Sequence, residues 1–147
     1  MIRLKFKRVG SYAYEPPLPS YQTPGSAGMD IRAAESGVIP SGCRVAVGTG
    51  WAAEVPEGYE LQIRPRSGLA LRSAIVANFG TIDSDYRGEI KVILHNLCEK
   101  GYREFLFSPG DRIAQLVLAP VIRADPVQAE ELSETKRGEG GFGHTGV

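Results

Sequence analysis

Cysteine is scarce in this chain: Cys43 and Cys98 are the only two. Two thiols cannot staple a small secreted scaffold, and they suit a reducing cytosol. Net charge is missing as well, because 17 Lys and Arg balance 17 Asp and Glu. Without a basic excess no general or stable affinity for nucleic acid is expected, since that affinity comes from cationic groups displacing counterions. No apolar run approaches the roughly 18–20 residues of a spanning helix, so no membrane partner is expected. The first residues, Met1-Ile2-Arg3-Leu4-Lys5-Phe6, alternate charge with apolar side chains and lack the core of a signal peptide. Helical patterning is rare: only Gly68 to Arg72 carries it, for about one turn. Together these shortages predict an intracellular, cytoplasmic domain, and 147 residues at 42% hydrophobic content suffice for a core of its own.

What the chain has instead is punctuation. Gly and Pro supply 28 of 147 residues, against roughly 12% in average proteins. Between them lie short β-rich runs: Ile2 to Val9, Met29 to Ala33, Arg44 to Val47, Trp51 to Glu54, Tyr59 to Arg64, Glu89 to Leu94, Arg103 to Phe107 and Ile113 to Val121. The last is the most apolar and is expected at the centre of a sheet. Glu15 to Ser26 carries Pro16, Pro17, Pro19 and Pro24 and reads as an extended connection. Many short strands separated by turn signals predict an all-β sandwich, jelly roll or barrel with one short helix. Residues 1–134 form the expected β domain. Residues 135–147, with five glycines and the single aromatic Phe142, form a flexible arm that cannot build a core of its own.

Several familiar chemistries find no support. His95 and His144 are the only histidines, and no Gly-x-Ser-x-Gly elbow accompanies them. His95-x-x-Cys98 lacks a second ligand pair for zinc. The glycines of the tail follow no strand and open no helix, so they are not a dinucleotide fingerprint, and Gly-Lys-Ser/Thr never occurs. Three segments say more. Arg64-Pro65-Arg66-Ser67-Gly68 puts two guanidiniums, a hydroxyl and a glycine where a strand meets a helical turn, an anion cradle unless Ser67 only caps the helix. Gly80 to Gly88 is a turn with Asp83, Asp85 and Tyr86, readable also as an ordinary acidic turn. Gln115 is an amide among apolar neighbours and needs a partner or a ligand.

In this order the segments resemble the trimeric dUTPase family through five motifs. They are Ala27 to Ala33, Pro65 to Ala70, Gly80 to Ile90, Pro109 to Leu116 and Arg137 to Gly146. The resemblance implies a distorted jelly-roll or β-clip-like barrel, a homotrimer with sites at subunit boundaries, and hydrolysis of dUTP to dUMP and pyrophosphate with Mg²⁺. Such an activity keeps uracil out of DNA and supplies dUMP for thymidylate synthesis. It implies Asp83 as the general base on the attacking water, and Tyr86 beneath the deoxyribose, leaving no room for a 2′-hydroxyl. Arg66, Ser67, Gly68 and Gln115 would hold the phosphates, joined by Arg137 on the γ-phosphate. Uracil would be read by a β-hairpin around Asn78, Phe79, Gly80, Thr81 and Ile82, with Lys91 on the return strand, and Phe142 would cover the base. Mg²⁺ would ride mainly on the substrate phosphates, with Asp30 touching it through water. Many relatives carry asparagine six residues before the catalytic aspartate; here Ala77 stands there and Asn78 beside it, so either the loop shifts by one residue or that contact is absent.

Two other readings remain open from sequence. A dCTP deaminase of the same superfamily would share the fold and the Pro-Arg-Ser segment, but its glutamate context is replaced here by Ser84-Asp85-Tyr86-Arg87-Gly88. A non-catalytic trimeric β module would have no use for Asp83, Tyr86, Ser67, Gln115, Arg137 and Phe142 together.

Overall fold

The computed structural model describes residues 2–99 and 101–141; Phe142 and His144 lie outside them. In chain order the elements are β1 (Lys5–Arg8), β2 (Ser20–Tyr21), β3 (Met29–Arg32), β4 (Gly37–Ile39), β5 (Arg44–Gly48), β6 (Trp51–Glu54), β7 (Tyr59–Arg64), α1 (Ser67–Ser73), β8 (Ile75–Ala77), β9 (Gly80–Ile82), β10 (Lys91–Asn96), β11 (Phe105–Phe107) and β12 (Arg112–Pro120). The fold is therefore all-β with one short helix, as expected. No helix among the described residues is long and apolar enough to cross a membrane.

Period-two alternation builds the core. In β7, Leu61 and Ile63 turn inward while Glu60, Gln62 and Arg64 turn out; in β3, Met29 and Ile31 turn inward while Asp30 and Arg32 turn out. These inward residues join Ile39, Val47, Ile75, Val92, Leu94, Ile113 and Leu116 in one apolar cluster. Two buried polar side chains are satisfied: Thr49 donates to the Ile90 carbonyl, and Asn96 donates to the carbonyls of Ile39 (2.9 Å) and Arg103 (2.8 Å).

The largest sheet runs β2-β3-β12-β7-β9; smaller sheets are β5-β10-β8, β11-β4 and β1-β6. The apolar strand β12 is central, antiparallel to β3 on one side and β7 on the other. The pairing contains a bulge: Arg112 faces Arg32, yet Ala114 faces Ile31, leaving Ile113 as the extra residue. Composition changes at Thr135, but strand pairing ends at Pro120. From residue 121 to residue 139 the chain runs exposed, and among the described residues one backbone bond, from Val121 to Gly58 (2.8 Å), ties it to the body.

Three differences from the sequence reading have local causes. The strands β4 and β8 are only three residues long and carry too few positions for alternation to show. The strand expected at Glu89 begins at Lys91, because Glu89 and Tyr12 occupy the preceding corner in side-chain bonding. The run expected from Gly80 as a turn contains the strand β9, in which the only long aliphatic side chain is Ile82.

Candidate active site

The β3-β12-β7 register assembles the first cluster. Gln115 lies opposite Asp30 on one side and Arg64 on the other, and Arg64 leads through Pro65 into α1. The bulge then does something alternation alone would forbid. Arg112 and Gln115 are three residues apart, a spacing that puts strand side chains on opposite faces; the extra residue Ile113 returns both to the face of Asp30. Arg66 Nε lies 3.0 Å from Asp30 Oδ1, and Arg112 Nη1 lies 3.3 Å from Oδ2. Arg66 also donates to the Arg112 carbonyl at 3.1 Å. The carboxylate thus holds two guanidiniums side by side at a cleft of about 390 Å³ that Ser67, Gly68, Gly28 and Gln115 complete.

Ser67 does not cap the helix. It is the first helical residue, and the capping position belongs to Arg66, which makes no side-chain capping bond. The first-turn N–H groups are left without a side-chain acceptor, as an anion cradle requires. Gln115 donates to the Pro65 carbonyl at 2.9 Å, which settles one half of its amide. Gly28 packs flat against it: a Cβ there would overlap Gln115 Oε1 and lie 3.1 Å from Gln115 Cβ. Gly28→Ala should therefore displace Gln115 and raise the KM for a phosphate-bearing substrate roughly tenfold, with a stability loss of about 1–3 kcal/mol; steady-state kinetics and a thermal melt check both.

The second cluster lies on β9 and the turn after it. The hairpin expected over residues 78–91 is split rather than regular. At its base, β8 pairs with β10 (Leu94 opposite Ala77), and Asn78 N–H still reaches the Ile93 carbonyl at 2.7 Å. Beyond Phe79 the chain crosses to the other sheet, where β9 pairs with β7 and not with β10. Lys91, on β10, faces Gly48 of β5. The separation opens a cleft of about 500 Å³ lined by Ile63, Gly80, Thr81, Ile82, Asp83, Tyr86, Ile90 and Lys91. Because β9 is the edge strand of its sheet, its outer backbone N–H and C=O groups have no strand partner among the described residues. Backbone readout of a planar base remains available there, from a strand edge.

Asp83 follows β9 and stands on the wall between this cleft and a wider one lined by Glu54, Glu57, Asp85 and Arg87. Its carboxylate is exposed and accepts no hydrogen bond from the described residues, while its carbonyl takes the Tyr86 N–H at 3.2 Å. Tyr86 folds its ring over Gly88 and donates to the Glu89 carbonyl at 3.0 Å. Ala77 is buried, and Asn78 turns its amide to the Phe79 carbonyl at 2.8 Å. Arg137 is exposed and bonds within its own turn, to Gly140 O at 2.7 Å.

Thus Asp30, Arg66, Ser67, Gly68 and Gln115 share one cleft, and Gly80, Thr81, Ile82, Asp83, Tyr86 and Lys91 share another. Asn78 and Arg137 line neither. The two clefts have no lining residue in common. Arg112 is a site residue that alternation hid; its place directly after Pro109-Gly110-Asp111 was the available signal.

The dUTPase family model matches residues 15–146. The deoxyuridine 5'-triphosphate nucleotidohydrolase of Syntrophotalea carbinolica is 54% identical, over 99% of this chain and 97% of its own. Its namesake from Anaplasma marginale is 52% identical over 100% of both. Among solved structures, a mutant dUTPase of Staphylococcus bacteriophage 80alpha with dUpNHpp superposes with a TM-score of 0.91 at 27% identity, covering 100% of both chains. With matched motifs, fold and whole-length relatives in agreement, the chain belongs to the dUTPase family.

Proposed function

We propose that this protein hydrolyses dUTP to dUMP and pyrophosphate, at sites that two or more copies of the chain complete. The observation that supports it is the division between the clefts. One offers a cleft with a strand edge unpaired among the described residues, a tyrosine and an exposed carboxylate. The other offers two fixed guanidiniums and an uncapped helix start, suited to a polyanion. A nucleoside triphosphate has the same two ends. As the clefts share no residue, a phosphate cradle from one copy can serve the base cleft of another. The trimer of the family supplies such an arrangement, and the exposed apolar residues of the departing segment, Ile122, Val127 and Leu132, favour burial against a second copy.

In this reading Asp83 accepts a proton from the water that attacks the α-phosphorus; its carboxylate, bonded to none of the described residues, has both oxygens available to aim that water. Arg66, Arg112, Ser67, Gly68 and Gln115 bind the phosphate chain and stabilise the charge gathered on the pyrophosphate as it leaves. Arg137 from the arm would add a further cation at the γ-phosphate. Asn78 contributes its backbone rather than its amide, which is engaged with Phe79.

The donor set fits magnesium only as a companion of the triphosphate. Among the described residues no group of three or more His, Cys, Asp or Glu could hold a metal. Each oxygen of Asp30 already faces a guanidinium, though a carboxylate oxygen keeps a second lone pair for a metal-bound water. When bound, the ion neutralises phosphate charge and favours departure of pyrophosphate.

Pyrophosphate release from dUTP with Mg²⁺ tests the activity directly; an inert pure protein defeats it, and ammonia release from dCTP would instead point to the deaminase branch. Tyr86 is the proposed sugar gate. Tyr86→Ala should raise kcat/KM for UTP at least about tenfold relative to dUTP, since deleting the ring removes the clash with the 2′-hydroxyl. Competition kinetics with the two nucleotides measures the ratio, and undiminished rejection of UTP would put the gate elsewhere.

A further inference from the structure

Tyr86 is half exposed, on a turn, and its hydroxyl is held by a backbone carbonyl. The peptide that carries this carbonyl joins Glu89 to Ile90, and its N–H donates to the Trp51 carbonyl at 2.7 Å. The Glu89 side chain adds a second anchor: its Oε2 lies 3.9 Å from Lys91 Nζ, and its other oxygen turns toward the N-terminal segment. There Glu89 Oε1 accepts two hydrogen bonds, from the Tyr12 hydroxyl at 2.7 Å and from Gly50 N–H at 3.0 Å.

Tyr12 occupies a slot shaped for it. Gly10, with φ of 77°, turns the chain after β1, and a Cβ on it would lie 2.6 Å from the Tyr12 ring. A Cβ on Gly48 would overlap the Tyr12 hydroxyl and sit 3.1 Å from Glu89 Oε1. Gly50, with φ of 69°, leaves only ordinary contact distance to the ring. Val9 N–H to the Gly50 carbonyl (3.0 Å) ties the segment down, and Glu35 takes the Gly48 N–H at 2.7 Å on the same corner. Burial, followed by the bond and charge of Glu89 and the charge of Glu35, pushes the Tyr12 phenol well above its ordinary range. Its proton stays on, and the hydroxyl remains a donor at any pH the enzyme meets.

We propose that Tyr12 is a positioning residue for sugar selection: through Glu89 it fixes the stance of Tyr86, and so sets how strictly a ribose is excluded. The proposal rests on the reading of Tyr86 as the sugar gate. The chain of contacts is continuous, from the glycine slot to Tyr12, to Glu89, to Tyr86. Neither Tyr12 nor its three glycines line the base cleft, whereas Glu89 and Tyr86 do. The hydrogen-bonded route from Tyr12 to the cleft runs through Glu89; a packing route also exists, since Gly48 beside the Tyr12 hydroxyl pairs with Lys91.

The test is the ratio of kcat/KM for dUTP over UTP, measured on the assembled wild type, Tyr12→Phe, Glu89→Ala, Glu89→Gln, the Tyr12→Phe/Glu89→Ala double variant and Tyr86→Ala. Phenylalanine keeps the ring in its slot and deletes one hydroxyl. Tyr12→Phe should lower the ratio about tenfold, mainly through the KM for dUTP, in line with losing one hydrogen bond to a charged acceptor. Glu89→Ala, which also strips the acceptor from Gly50 N–H and the ion pair from Lys91, should lower the ratio at least as far, and adding Tyr12→Phe to it should change nothing further, as expected of two members of one chain. Glu89→Gln, which keeps an accepting oxygen, should restore most of the ratio. Additive effects overturn the proposal. So does a Tyr12→Phe enzyme that melts earlier and turns over both nucleotides more slowly at an unchanged ratio, since that marks a structural clip. If Tyr12→Phe leaves the ratio alone while Tyr86→Ala lowers it, only the Tyr12 proposal fails. If neither moves it, the gate reading fails and takes the proposal with it.

Discussion

Asp83→Asn is expected to lower kcat for dUTP by about 10²–10⁴-fold, the usual worth of a positioned general base, while a non-hydrolysable analogue still binds within a few-fold of wild type. Asparagine matches aspartate in size and shape and keeps an oxygen that can orient water, but it cannot take the proton. The substitution costs the fold little. The Asp83 side chain is exposed and accepts no hydrogen bond from the described residues, and the bond that shapes the turn uses its carbonyl, which asparagine retains. A stability change within about 0.5 kcal/mol is the ordinary outcome at such a position. Activity lost with stability and affinity kept therefore isolates the chemical step. Pyrophosphate release under saturating dUTP, calorimetric titration with the analogue and a thermal melt make the comparison. An unchanged kcat would remove Asp83 from the role and direct attention across the wall to Asp85, which lines the wider cleft beside it.

Where the sequence could be read and where it could not follows from the range of each signal. Alternation is local, so a strand of several residues with one wet face is legible, as Tyr59–Arg64 is; Trp51–Glu54, buried at three positions in a row, and the apolar run ending near Val121, the central strand, are legible from their apolar content and flanking turn signals. The three-residue strands β4 and β8 are defined by partners far along the chain, Phe105–Phe107 and Leu94–Asn96, and carry too little pattern of their own. The site divides in the same way. Asp30, Arg66, Ser67, Gly68 and Gln115 were nameable because their motifs are contiguous, and the register brings them into one cleft. Arg112 depends on a bulge one residue long, and the split hairpin depends on β9 preferring β7 to β10. Both are outcomes of sheet assembly that no short window contains. The Tyr12–Glu89 link spans 77 residues, and only its Glu89 end falls inside a motif.

Deleting Arg137 to Val147 is expected to cut kcat/KM for dUTP by about 10²–10³-fold, the scale of losing one charge-stabilising donor, with the oligomeric mass unchanged. After the bond from Val121 to Gly58, the described tail makes hydrogen bonds only within itself: Gly138 N–H to Thr135, Gly140 N–H to Arg137 O and Arg137 to Gly140 O. Among the described residues the body loses no hydrogen bond when the cut falls at Arg137, and a thermal melt of the truncated protein separates reduced turnover from unfolding. The apolar residues Ile122, Val127 and Leu132 all lie before the cut, so any grip they have on a second copy also survives. About 16 extended residues separate Val121 from Arg137, a reach on the order of 50 Å at full extension, enough to carry the guanidinium to a neighbouring copy. Arg137→Ala alone should account for much of the loss if its charge acts at the γ-phosphate. Light scattering and steady-state kinetics on both variants decide the matter: a truncated enzyme of full activity would make the arm a passenger. Truncation losses that Arg137→Ala fails to reproduce would shift the arm's contribution onto the remaining residues of the fifth motif.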